Sequence, residues 1–204
     1  MFAKLKSLLV VWCVVSRLLI AAEARSAELQ NSVSPNGKYA VLAVQKGAHG
    51  LIAYHFVQRA TGAILLRIKS TYQETPGEPD DDWSWRHGAT AVVHWRADGR
   101  CIALQEANHH QLGTAKIAIV RDGEFREVNL DDDVLIDFTK VARADWVRVK
   151  VEFAGFDGPH RAHISVGGGV AYGDGPSQDR SFTVTIRLSD GRPIKCRAEA
   201  ADAP

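Results

Sequence analysis

The stretch Val93-His94-Trp95-Arg96-Ala97-Asp98-Gly99-Arg100-Cys101-Ile102-Ala103-Leu104 decides how this chain is read. One apolar run enters an Asp-Gly pair and a second leaves it. Glycine accepts positive φ because it has no Cβ to clash, which a tight two-residue hairpin turn requires. The stretch therefore predicts two antiparallel strands joined by a turn. Ser34-Pro35-Asn36-Gly37-Lys38-Tyr39-Ala40-Val41 has the same layout, and Gly155-Phe156-Asp157-Gly158-Pro159-His160 echoes it.

Further turn signals fall at Thr61-Gly62, Asp122-Gly123 and Asp190-Gly191. Taken in pairs, the first turns sit at Gly37, Gly99 and Gly158, 62 and 59 residues apart. A repeated period marks a duplicated supersecondary unit. Each unit is predicted to be a four-stranded antiparallel meander, with units over roughly 28–70, 88–130 and 145–198. In unit 1 the strands are Glu28–Val33, Tyr39–Gln45, Leu51–Gln58 and Ala63–Lys69. Unit 2 has Ala89–Trp95, Cys101–Ala107, Ala115–Arg121 and Phe125–Leu130. Unit 3 has Trp146–Phe153, Arg161–Val166, Ser181–Leu188 and Pro193–Arg197, with Gly167-Gly168-Gly169 swelling a mobile loop.

The units differ in their faces. In unit 3, Val147, Val149, Val151 and Phe153 alternate with Trp146, Arg148, Lys150 and Glu152, the period of a sheet wet on one side. Unit 1 is apolar on both faces and is expected to lie deeper in the core. One connecting helix is expected near 131–143: acids at Asp131-Asp132-Asp133 precede Val134, Leu135, Phe138, Val141 and Ala142 at helical spacing.

Ser34-Pro35-Asn36-Gly37-Lys38-Tyr39-Ala40 and Trp95-Arg96-Ala97-Asp98-Gly99-Arg100-Cys101-Ile102-Ala103 resemble the β-propeller repeat of TolB-like and dipeptidyl-peptidase-like proteins, in which a Ser-Pro-Asp-Gly-type turn joins the first two strands of a blade. The resemblance implies blade-like sheets. Its matched residues are structural in that family, so it carries over no catalytic residue. Closed propellers use four to eight blades, and three units are visible. The expected fold is thus all-β, propeller-blade-like but not a closed ring, either an open blade stack or a two-layer arrangement with unit 3 outermost; a β-sandwich of the same hairpins is the alternative.

The 204 residues suit one domain with a real core, here 28–204, and 46% apolar against 24% charged residues excludes wholesale disorder. Residues 1–24 read as a signal peptide: Lys4 and Lys6 form a basic start, Leu8 to Val15 is apolar, and small residues allow cleavage after Ala24 or Ser26. Arg17 splits the apolar run, leaving it short of a membrane span. The expected location is secreted or periplasmic. Without residues 1–24 the chain keeps no basic excess to attract nucleic acid. Cys101 and Cys196 remain, free to pair or to stay apart.

No nucleophile elbow, zinc-protease motif or phosphate loop is present, and no pattern demands a cofactor or a metal. His109-His110 and the acids Asp80-Asp81-Asp82 read as solvated loops, and His55 as a core residue. His160 and His163, three apart, would point to opposite strand faces. The stretch from Tyr72 to His87 is different: an acidic, Pro-containing connector ends in Trp83-Ser84-Trp85-Arg86. If extended, the rings of Trp83 and Trp85 face one way, with Arg86 as a polar rim. The expected activity is that of an exported, non-enzymatic interaction module binding a protein or glycan partner through Trp83, Trp85 and Arg86. The alternative is a hydrolase with a site assembled from scattered loop residues.

Overall fold

The computed structural model describes residues 24–29, 31–46, 50–71, 90–107, 113–122, 124–171 and 175–199. Their architecture is all-β: three four-stranded antiparallel meanders, none closed on itself. Sheet 1 runs β1 (Ala24–Glu28), β2 (Tyr39–Lys46), β3 (Gly50–Gln58) and β4 (Ile64–Lys69). Sheet 2 runs β5 (Thr90–Trp95), β6 (Cys101–Ala107), β7 (Gly113–Arg121) and β8 (Glu124–Val128). Sheet 3 runs β9 (Trp146–Asp157), β10 (Arg161–Val170), β11 (Gln178–Arg187) and β12 (Pro193–Ala198). Each sheet follows chain order, as the turn periodicity requires.

The Asp98-Gly99 turn is longer than the two-residue form expected. Arg96 N–H donates to the Cys101 carbonyl at 2.8 Å and Gly99 N–H to the Arg96 carbonyl at 2.8 Å, enclosing a four-residue loop. Only Gly99 within it has positive φ, at 67°. Residues 34–39 close identically, with Ser34 N–H to the Tyr39 carbonyl at 2.9 Å and Gly37 N–H to the Ser34 carbonyl at 2.8 Å. In both loops the side chain before the glycine accepts from the backbone two residues on: Asn36 Oδ1 from Lys38 N at 3.1 Å, Asp98 Oδ1 from Arg100 N at 2.9 Å. Such local acceptors hold the chain in a turn. The two-residue form occurs instead between β7 and β8, where Arg121 pairs with Glu124 and Asp122 has φ 54°.

The sheets stack face on face, and sheet 2 is the middle layer. Alternation along β6 sends Ile102 and Leu104 one way and Cys101 and Ala103 the other. Ile102, Leu104, Ala118 and Phe125 form one cluster with Val41, Ala43, Tyr54, Phe56 and Ile68 of sheet 1. Cys101, Ala103, Ala115, Ile117 and Val128 form a second with Val151, Ile164, Val166, Val184 and Ile186 of sheet 3. Unit 1 is therefore not the deepest layer. Cys101, Ile102, Ala103 and Leu104 are all fully buried because both faces of β6 are covered. Polar ties register the layers: Trp95 Nε1–H donates to the Ser32 carbonyl at 3.0 Å, and Phe153 N–H to Gln105 Oε1 at 2.7 Å.

Three sequence expectations shift in detail. The first strand of unit 1 is Ala24–Glu28 and not Glu28–Val33, its residues pairing with Lys46 to Leu42. Gly167, Gly168 and Gly169 are no loop but the end of β10. A Cβ on Gly168 would lie 1.7 Å from the Arg148 carbonyl oxygen, so the strands approach there only because the side chain is hydrogen. The helix, α1, covers Asp132–Phe138, the first half of the expected segment. Asp131 Oδ1 caps it, accepting from Asp133 N at 3.0 Å and Val134 N at 3.3 Å. Leu135 and Ile136 are its buried residues, while Val134 faces solvent. Arg143 lies beyond the helix in a 3-10 turn (Arg143–Asp145) and pairs with Asp133 at 2.6 Å.

Candidate functional site

Among the described residues, the best-organised polar group is Glu106 on β6. Its neighbours along the strand point into the two apolar clusters, yet Glu106 itself is fully buried. Burying a carboxylate costs several kcal/mol unless hydrogen bonds replace its hydration. Here Oε1 accepts from Tyr54 Oη at 2.7 Å and from Ser70 Oγ at 2.6 Å, and Oε2 accepts from Thr71 N at 3.0 Å. Two donors come from the chain as it leaves β4. Glu106 thus fastens sheet 1 to sheet 2 at the root of the 72–89 connector.

A cleft of about 410 Å³ opens beside that root, between Thr71, the β7–β8 hairpin and the start of α1. Lys116 crosses one side, its Nζ donating to the Lys69 carbonyl at 2.9 Å. Asp131, Asp132, Asp133 and Glu127 supply the remaining charge. Burial pushes the Asp132 carboxyl above its usual range; a hydrogen bond from Thr114 Oγ1 at 3.3 Å works the other way, and Asp131 and Asp133 add to the rise. Asp131 is committed to the helix cap and Asp133 to Arg143, so Asp132 and Glu127 are the acids turned to the cleft without an ion pair among the described residues. The expected reading of Asp131-Asp132-Asp133 as a helix start holds: Asp131 is the N-cap, and Asp132 and Asp133 are the acids of the first turn. The place of Asp132 in a cleft was not readable from the string alone.

Trp83, Trp85 and Arg86 lie outside the described residues, as do His109 and His110. The connector's root is placed; the proposed contact residues are not.

Among the described residues, no three His, Cys, Asp or Glu side chains converge on a metal position. His160 sits in the β9–β10 turn and His163 on β10. The nearest approach to a catalytic row is Asp157, His163 and Thr185. His163 Nδ1 is 3.1 Å from Thr185 Oγ1, and His163 Nε2 is 3.9 Å from Asp157 Oδ2. Asp157 is already held by Arg161 at 3.0 Å, and the row lies on the outward face of sheet 3. It reads as a cross-strand polar ladder. His55 and His94 both have pKa values lowered, chiefly by burial, with the Arg67 charge adding to the effect at His55. Cys101 and Cys196 are free thiols. Burial pushes Cys101 up to about 12, which leaves no thiolate for chemistry near neutrality.

The chain was compared with family models, with curated proteins and with solved structures, and none of the three comparisons finds a match.

Proposed function

We propose that this protein is an exported, non-enzymatic interaction module that binds a protein or glycan partner where the 72–89 connector leaves sheet 1. One observation carries the reading: the buried Glu106 carboxylate clamps Ser70 and Thr71, so the connector springs from a fixed point at the lip of a polar cleft. A loop anchored on a rigid scaffold is the usual way a β-rich domain presents a binding surface. In this reading Trp83 and Trp85 are the apolar anchors and Arg86 the rim.

The test is the variant Trp83→Ala with Trp85→Ala, assayed for thermal melting and for capture of envelope proteins and arrayed glycans. The proposal expects an unchanged melt and loss of a captured partner. Collapse of the fold would show the rings cover the core edge instead, and an intact fold with unchanged partners would make the connector a spacer. Export is part of the same proposal. Cleavage after Ala24 leaves β1 nearly whole, whereas cleavage after Ser26 removes three of its five residues, so Arg25 is the expected mature N-terminus. N-terminal sequencing that returned Met1 would reject it.

A further inference from the structure

We propose that the outward face of sheet 1, turned away from sheet 2, docks a protein partner whose contact surface is apolar at its centre and acidic at its rim. The two ends of the stack differ. On sheet 3 the outward face is polar and carries its own ion pairs and hydrogen bonds: Arg161 pairs with Asp157, His163 meets Thr185, and Ser181 and Thr183 donate to Glu199. That end of the stack is finished by solvent. Sheet 1 has the opposite character. Since Val41, Ala43, Tyr54 and Phe56 point to sheet 2, alternation puts Ala40, Leu42 and Val44 of β2 and Ala53, His55 and Val57 of β3 on the outward side. Ala40, Val44 and Val57 are buried low in this face, Leu42, Ala53 and His55 are half-buried, and Ile64 at its margin is 42% exposed.

Cations ring that centre. Arg67 is opposite His55 and Lys69 opposite Ala53, both on the outward side of β4 and both exposed. At the end of the strands Arg59 N–H donates to the Lys38 carbonyl at 2.9 Å, which continues the β2–β3 register and gives both residues the outward parity. None of Lys38, Arg59, Arg67 and Lys69 makes an ion pair among the described residues. Elsewhere Arg96, Arg126, Arg161 and Arg187 each pair with an acid in their own hairpin. Between residues 24 and 71 the chain has six basic residues and one acid. The pKa of His55 is lowered by burial and then by the Arg67 charge, as suits a face on which cations outnumber the one acid, Glu28, whose register position is opposite Leu42.

An apolar centre inside a charged rim is the anatomy of a protein–protein interface. Nucleic acid would want the cations in a track along its backbone, and a membrane would want large protruding apolar side chains where this face offers Ala, Val and a half-buried Leu. Rim charges chiefly steer association and set its salt dependence.

This surface is separate from the connector, and the experiment separates the two. A fluorescent peptide alternating Glu with Val is titrated into the full-length protein and followed by anisotropy. Binding is expected at low salt and is expected to fall sharply at ~0.5 M salt, where the screening length is only a few ångströms. Arg67→Glu with Lys69→Glu is expected to weaken it about tenfold or more, and Arg67→Gln with Lys69→Gln by less, each with an unchanged melt. The Trp83→Ala, Trp85→Ala variant is expected to bind the peptide normally. Absence of binding at low salt, or binding indifferent to the charge reversal, overturns the proposal. Binding of anionic phospholipid vesicles in preference to the peptide also overturns it.

Discussion

Replacing Gly99 by alanine should be one of the costliest single-atom changes in the molecule, and the loop geometry gives the magnitude. Gly99 has φ 67°, a conformation that costs an alanine about 1 kcal/mol. A Cβ there would also lie 2.6 Å from Asn36 Nδ2 and 3.0 Å from Asn36 Cγ, inside any real contact distance. Asn36 cannot simply swing aside, because its Oδ1 accepts from Ser34 Oγ at 2.8 Å and from Lys38 N at 3.1 Å. Displacing it forfeits two hydrogen bonds at about 1 kcal/mol each. The total is about 3 kcal/mol. Gly37 has nearly the same φ, 68°, and nothing within 4 Å of its Cβ position, so Gly37→Ala should cost only the conformational share, about 1 kcal/mol. Urea denaturation of both variants gives the comparison. Asn36→Ala closes the cycle: in that background Gly99→Ala should fall towards the Gly37→Ala value. Equal costs at Gly99 and Gly37, or no relief from Asn36→Ala, would refute the packing of one hairpin loop on the next.

Glu106→Ala withdraws the acceptor from Tyr54, Ser70 and Thr71 at once and should cost about 3–5 kcal/mol in the same denaturation assay, whereas Glu106→Gln, which keeps one carbonyl oxygen, should cost clearly less. A loss under 1 kcal/mol for the alanine variant would mean that the clamp is not formed. His94 packs 5.3 Å from the Phe153 ring and its pKa is lowered by burial, so folding favours its neutral form. The stability it contributes is complete above the ordinary histidine value of 6.5 and is lost as pH falls through the lowered folded value. The drop in Tm from pH ~7.5 to pH ~5.5 should therefore shrink in His94→Leu; an unchanged drop would contradict this. A thiol reagent at pH ~8 should label Cys196 before Cys101, because Cys101 is buried and pushed up to about 12.

Much of the fold was legible because turn chemistry and strand alternation are local. Gly37, Gly99 and Gly158 each mark a β-hairpin turn, and the outward polar row of sheet 3 follows from Arg148, Lys150 and Glu152 alternating with valines. Layer order was not legible, because it depends on which apolar face meets which. Tyr39 to Val44 and Cys101 to Leu104 are both apolar on two faces, yet only the second has sheets on both sides. Gln105 and Glu106, polar residues next to Leu104, hide the centrality of β6 in the sequence. Their hydrogen bonds to Phe153, Tyr54, Ser70 and Thr71 are tertiary and make burial tolerable. The same holds for the site. The connector stands out by composition, but the anchor of its root, Thr71, on a carboxylate 35 residues downstream leaves no local mark.

Native-state hydrogen exchange resolved by residue tests whether sheet 2 is enclosed between sheets 1 and 3. Amides of β6 and β7 should exchange slowest of all, near the rate set by global unfolding, while β1 and β12 at the sheet edges open earlier. Greater protection in β3 than in β6 would put sheet 1 at the centre and contradict the stack.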